Sequence, residues 1–231
     1  MPRRPDPSRR ITGHRIQSEH PLTTLKNGAK SSRRVGRGGF VYRYGDAADP
    51  LYLVESGLVK LALCSASGRD LTLGLYGPGE VFGEEAIFES ADRMSSAIAV
   101  EASVLIAIPR NAVHQLLERD SDVSAFLMRL LATRVRESVS QIEKLAWSPV
   151  PARLAEALLR LASRAGVSDA AGTRVDLTIT HQELANLIGS TRETTTATLN
   201  EFRRRGLIEF VQRQIVLLRP DLLSSLALRN G

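Results

Sequence analysis

The residues best placed to do chemistry cluster between Thr180 and Arg213. Thr180-His181-Gln182-Glu183 opens a short helix, in which Thr180 can accept from the Glu183 amide while the Glu183 carboxylate returns a bond to the cap amide. Leu184, Leu187 and Ile188 supply its apolar face, Gly189-Ser190-Thr191 turns the chain, and Arg192 to Arg205 reads as a second helix ended by Gly206. Two short helices joined by a tight glycine turn form a helix-turn-helix pattern, whose second helix can enter the DNA major groove. On that helix Thr195, Thr198, Leu199 and Phe202 recur at steps of three and four and face inward. Arg192, Glu193, Thr196, Ala197, Asn200 and Arg203 are left outside. An arginine can grip guanine O6 and N7, and a glutamate can accept from cytosine N4, each contact worth about 1–3 kcal/mol of discrimination. Thr180, His181 and Gln182 fall over phosphates. Leu207 to Val211 and Ile215 to Leu218 flank Gln212-Arg213-Gln214 as a hairpin, which makes the module winged and sets Arg213 at the tip against backbone phosphate. The expected DNA contacts are therefore Thr180, His181, Gln182, Thr191, Arg192, Glu193, Thr196, Ala197, Asn200 and Arg213.

Something must hold two such helices in register. The chain has 231 residues, 43% of them hydrophobic and 24% charged, the balance of a soluble protein with one large domain or two modest ones. Residues 1 to 40 hold ten Lys/Arg against two Asp/Glu, residues 41 to 144 ten against fifteen, and residues 145 to 231 eleven against eight. A basic arm, an acidic middle and a basic end result, and a basic segment suits a polyanion. Residues 1–35 lack periodicity and read as a flexible arm. From Gly36 to Pro109, short β-type runs such as Leu51-Tyr52-Leu53-Val54 alternate with glycine turns, the pattern of an all-β sandwich or roll. Helical spacing begins at Asn111, and after Asp120-Ser121 the residues Val123, Leu127, Leu131, Val135, Val139, Ile142 and Ala146 form one long apolar stripe. Such a stripe outlasts the average helix of ~11–12 residues and reads as a homodimer seam, with packing on the chain's own roll as the alternative. Ser148-Pro149-Val150-Pro151 breaks it. The expected architecture is α+β: an arm (1–35), a β-roll (36–119), a dimerisation helix (120–147) and a winged helix-turn-helix (148–231).

Other chemistries find little footing. Cys64 is the lone cysteine, so there is no disulfide framework and no four-cysteine zinc or iron–sulfur site within one chain; it reads as a small core residue. The near-apolar run Ile98 to Ile108 contains Glu101 and falls short of the ~20 residues of a membrane span. No secretory apolar core precedes Lys30, so a cytoplasmic location without a membrane partner is expected. No nucleophile elbow, phosphate loop or metal-spaced His/Cys set suggests an enzyme.

Taken together, residues 36 to 225 resemble the CRP/FNR transcription regulators. Gly45-Asp46, Leu51-Tyr52-Leu53-Val54, Glu55-Ser56-Gly57 and Gly79-Glu80-Val81-Phe82-Gly83-Glu84, followed by the long helix, are similar in order to that family's sensor domain; Thr191-Arg192-Glu193-Thr194 with Leu199 and Gly206-Leu207-Ile208 is similar to its recognition segment. The resemblance implies a cyclic-nucleotide-binding-type jelly roll, a homodimer, double-stranded DNA with a two-fold-symmetric site and, for an activator, RNA polymerase as a further partner. It also implies an effector pocket at Gly83, Glu84, Arg93, Ser95, Ser96 and Ser138.

The chain departs from the pattern at that pocket. Cyclic-nucleotide binders of the family use the Gly-Glu pair for the ribose and an Arg followed by Ser or Thr for the phosphate, whereas this chain has Arg93-Met94-Ser95-Ser96. An anionic phosphate without its arginine binds more weakly. Ser138 keeps one of two expected helix hydroxyls and Val139 replaces the other, so cyclic AMP is disfavoured as the effector. The family's frequent arginine four positions after the Arg-Glu pair is Ala197, which loses a guanine contact. The sequence thus points to a DNA-binding regulator that is effector-independent or uses an effector other than cyclic AMP. The alternative is a small-molecule-binding module that acts on a protein partner with no DNA role.

Overall fold

The computed structural model describes residues 19–27, 31–64, 70–87, 92–169, 172–177, 179–212 and 214–228. Its N-terminal part is a roll of two antiparallel four-stranded sheets. The strands are β1 (Ser31–Val35), β2 (Phe40–Tyr42), β3 (Leu51–Ser56), β4 (Val59–Cys64), β5 (Asp70–Tyr76), β6 (Val81–Phe82), β7 (Ser96–Ala99) and β8 (Ser103–Ile108). They are ordered β1-β8-β3-β6 and β2-β7-β4-β5. One buried cluster takes Tyr52, Val54 and Leu105 from the first sheet and Tyr42, Val59 and Ala99 from the second, so the sheets face one another across it.

The apolar runs in β3 and β8 have a simple cause. Side chains alternate across a strand: Tyr52 and Val54 point into the roll, while Leu51, Leu53, Ile106 and Ile108 join a second cluster on the outer face. Three helices cover that face: α1 (Glu19–Asn27), α2 (Arg110–Arg119) and α3 (Ser121–Trp147). Leu25 of α1 is fully buried there, with Val113 of α2 and Val123, Phe126, Leu127 and Leu130 of α3. Residues 19–27 and 31–35, which composition assigns to a flexible arm, thus belong to the roll: α1 packs in its core, and β1 pairs with β8 from Ser31↔Ala107 to Val35↔Ser103. The rest of the expected arm lies outside the described residues.

The Asp120 carboxylate caps α3 by accepting from the Asp122 and Val123 amides at 2.9 and 3.1 Å, a contact typically worth about 1 kcal/mol. The stripe on α3 divides. Val123 and Leu127 are buried on the roll, but Val135, Val139 and Ile142 are each about three-fifths exposed or more (63%, 59% and 66%).

Beyond Ser148 come α4 (Val150–Ala165), β9 (Gly166–Asp169), β10 (Gly172–Val175), α5 (His181–Ile188), α6 (Arg192–Arg204), β11 (Ile208–Val211), β12 (Gln214–Leu217) and α7 (Pro220–Ala227). Four strands form the sheet β11-β12-β10-β9. Within it, β10 pairs with β12 on one side and β9 on the other. Leu154, Leu158, Leu161, Leu184, Leu199 and Phe202 fill the core beneath. This domain leans on the roll through Arg164, which donates to Leu75 O at 2.7 Å and pairs with Glu80 at 2.7 Å; the long helix α3 is tied to the second sheet of the roll by Gln141, which donates to Thr72 O at 3.0 Å.

Candidate nucleic-acid interface and the interior of the roll

The helix pair is built as its sequence dictates. Thr180 caps α5, with its hydroxyl accepting from the Glu183 amide at 3.1 Å and the Glu183 carboxylate accepting from the Thr180 amide at 2.6 Å. Gly189 ends α5 in the left-handed region at φ 61°, and an added Cβ there would collide with Leu145 of α3. Thr191 caps α6 by accepting from the Thr194 amide at 3.2 Å. Thr195, Thr198, Leu199 and Phe202 are buried, as three- and four-residue spacing requires.

The opposite face is open. Arg192, Glu193, Ala197 and Asn200 are exposed, and the side chains of Arg192, Glu193 and Asn200 form no hydrogen bond or ion pair among the described residues. Thr196 is half-buried and bonds differently from its neighbours. Thr195 and Thr198 donate back to the carbonyls of Thr191 and Thr194, whereas the Thr196 hydroxyl meets His181 Nδ1 at 2.9 Å. The imidazole also lies against Phe210 of β11, ring centroids 6.0 Å apart. Gln182 is turned along its own helix and donates to Asn186 at 2.8 Å. β11 and β12 form the expected wing, closing at Val211↔Gln214. Arg213 at its tip lies outside the described residues.

Of the expected effector residues, Arg93 and Gly83 bind each other inside the roll, whereas Ser138 on α3 does not join them. Arg93 is 1% exposed. It donates to Gly83 O at 3.0 Å and to Pro50 O, stands 3.4 Å from the Glu85 carboxylate, and lies 4.0 Å above the Tyr42 ring. Gly83 has φ +80°, and a Cβ on it would come within 2.7 Å of the Arg93 guanidinium. Only glycine leaves that room. Glu84 is held from α3, where Arg134 donates to its carboxylate at 2.9 Å, to Val81 O at 2.8 Å and to Glu137 at 3.0 Å. The same guanidinium lies 4.5 Å above Tyr76. Tyr42, Tyr52, Tyr76 and Phe82 fill the space between these two arginines, with Tyr52 and Phe82 stacked at 5.3 Å.

Burial first, and then Glu85, push the Tyr42 phenol far up; burial does the same to Tyr76 despite Arg134 beside it. Burial alone would lower the Arg134 guanidinium, but Tyr76, Glu84 and Glu137 together hold it above its ordinary range. Three polar atoms here are buried without a partner among the described residues: Tyr42 Oη, Glu84 Oε2 and Arg93 Nε. Ser95 and Ser96 are buried, and Ser96 Oγ accepts from the Tyr44 amide at 3.0 Å; Ser138 is exposed on α3. Sequence reading missed Arg134, because its partner Glu84 is fifty positions away (|i−j|=50) and its spacing marks only an i,i+3 pair with Glu137. Cys64, expected in the core, is exposed at the end of β4, and its thiol is raised by Asp70 first and burial second.

No group of three or more His, Cys, Asp or Glu side chains able to hold a metal occurs among the described residues. No described helix is long and apolar enough to cross a membrane.

Comparison with known proteins agrees with both halves of this geometry. Residues 32–120 match the cyclic nucleotide-binding domain family and residues 152–226 the Crp-like helix-turn-helix domain family. The chain is 34% identical over 195 residues to the cyclic AMP receptor protein of Thermus thermophilus, covering 84% of this chain and 87% of that one. It is 33% identical over 181 residues to a CRP-like cAMP-activated global transcriptional regulator of Mycobacterium tuberculosis, covering 78% and 81%. A solved CRP/FNR-family transcriptional regulator of Thermus thermophilus superposes with a TM-score of 0.72 at 33% identity, covering 87% of this chain and all of the other (100%).

Proposed function

Because this chain belongs to the CRP/FNR family of DNA-binding transcription regulators, we propose that it acts as a homodimer that presents two copies of α6 to a two-fold-symmetric duplex site. One observation carries the reading: Arg192 and Glu193 stand exposed at the first turn of a helix whose opposite face is locked in a core, so they are rigidly aimed yet lack internal partners. In the major groove Arg192 reads guanine and Glu193 accepts from cytosine N4, with Asn200 further along and Ala197 offering only a methyl. Phosphate contacts are assigned to Thr180, Gln182 and Thr191, and on sequence alone to Arg213.

The dimer contact in this reading is the outer half of α3. Val135, Val139 and Ile142 are too exposed to be explained by packing within one chain, and a second copy of the same stripe covers them. RNA polymerase is the further partner if the protein activates.

The roll works without cyclic AMP in this proposal. Its two relatives above are named for that nucleotide, but here the arginine that would meet a phosphate is spent on two carbonyls, Glu85 and Tyr42, and Glu84 is spent on Arg134. Arg134 itself ties the long helix to the roll. A second reading, an effector other than cyclic AMP, rests on Tyr42 Oη, Glu84 Oε2 and Arg93 Nε, buried polar atoms that a small polar ligand would satisfy.

Sedimentation of the full chain alone and with duplex DNA tests the proposal. A dimer is expected, shifted toward monomer by Ile142→Lys, with duplex affinity falling steeply as salt rises. A wild-type monomer that is indifferent to DNA would refute it.

A further inference from the structure

We infer that His181 and Thr196 form a proton-allocating pair that makes the recognition helix demand an amino group at one base pair. The inference rests on the DNA reading above and names one element of its specificity. Thr196 lies among the outward positions of α6, yet its hydroxyl does not fold back on its own helix as those of Thr195 and Thr198 do. It bonds to the Nδ1 atom of His181 at 2.9 Å, across the helix pair. Phe210 backs the imidazole from β11, so first helix, second helix and wing meet at this one ring.

The allocation follows from counting protons. His181 occupies the first turn of α5, beside the cap Thr180, where a helix N-terminus favours an anion. Its Nε2 meets no protein partner among the described residues. A phosphate oxygen only accepts, so a contact to it requires the proton on Nε2. In a neutral imidazole Nδ1 is then an acceptor. The hydroxyl of Thr196 has a single proton, and Nδ1 takes it. What remains toward the groove is a pair of oxygen lone pairs and a methyl group. Such an oxygen fits adenine N6 or cytosine N4, both donors, and is mismatched to guanine O6 and N7 or thymine O4, which are acceptors. His181 thereby acts as a positioning residue: it touches the backbone and dictates, through Thr196, which base edge is accepted.

The test is selection of duplexes from a random pool by full-length wild type, Thr196→Val, Thr196→Ser and His181→Phe. Wild type is expected to prefer adenine or cytosine at one position on the strand facing α6. Thr196→Val, equal in shape, should lose that preference alone, by roughly two- to tenfold, and Thr196→Ser should keep it. His181→Phe should lose it too and also bind all duplexes more weakly, with the salt slope unchanged because a neutral imidazole displaces no counterion. An independent readout uses wild type only: nitrogen-15 spectra of the histidine rings in the DNA complex. They should show His181 protonated at Nε2 and accepting at Nδ1. A ring protonated at Nδ1, or a Thr196→Val motif identical to wild type at every position, would overturn the pair while leaving DNA recognition standing. Failure of wild type to enrich any duplex would overturn both.

Discussion

Two clusters of charged side chains in this protein are resolved in opposite ways. Inside the roll, Arg93 and Arg134 are paired with Glu85, Glu84, backbone carbonyls and aromatic faces. On α6, Arg192 and Glu193 adjoin one another in sequence and reach solvent. A buried charge must find its partner within the fold, because leaving water unpaired costs several kcal/mol. An exposed charge on a rigid helix carries no such debt, so its partner can be another molecule. The residue types are the same; burial decides which cluster is structure and which is interface.

The comparison can be broken most forcefully at Arg134. Arg134→Ala leaves the Glu84 carboxylate, only 16% exposed, without its cation, and denaturant unfolding should register a loss of about 3 kcal/mol. No loss of stability would mean that the roll charges are not structural. On the other side, Arg192→Ala should weaken the specific duplex by about 1–3 kcal/mol while random duplex changes little, as read by competition titration. A stability loss of the same size from this variant, with specificity intact, would reverse the assignment of the two regions.

Alkali sharpens the contrast further. Tyr42 and Tyr76 have phenols pushed up in the folded roll, mainly by burial, so above a pH of about 10 the unfolded chain loses protons that the folded one retains. Their contribution is complete below that pH and declines as pH rises, by about 1.4 kcal/mol per pH unit for each phenol. Tyr42→Phe and Tyr76→Phe should each lessen the decline in chemical unfolding followed against pH. The smallest effect is expected from cyclic AMP: calorimetry should show no tight saturable binding. Strong binding would show that Arg93 leaves its carbonyl partners for a phosphate.

The DNA-facing half was legible because its signals are local. A capping box at Thr180 and Glu183, a left-handed turn at Gly189 and the inward spacing of Thr195, Thr198, Leu199 and Phe202 act within one or two helical turns, and the structure repeats them. The length of α3 was legible for the same reason, from its unbroken three- and four-residue stripe. The roll interior was not, because its contacts join distant segments: Arg134 to Glu84, Arg93 to Pro50 and Gly83, Tyr42 to Phe82. Spacing placed Arg93 one residue out of pattern, but could not say that it turns inward onto a tyrosine. Helix α1 was hidden by the basic composition around it, although Leu22 and Leu25 fall on one face and Leu25 is fully buried. His181 was expected over phosphate, and its bond to Thr196 depends on how two helices cross.

The central claim, that two copies of α6 read one symmetric site, is tested most directly by sequencing duplexes that wild type enriches from a random pool. The account predicts an inverted repeat whose half-sites are centred about one helical turn apart, roughly 10–10.5 base pairs or a multiple of it, with guanine fixed where Arg192 enters. An unpaired single motif, or no enrichment over the starting pool, would contradict it.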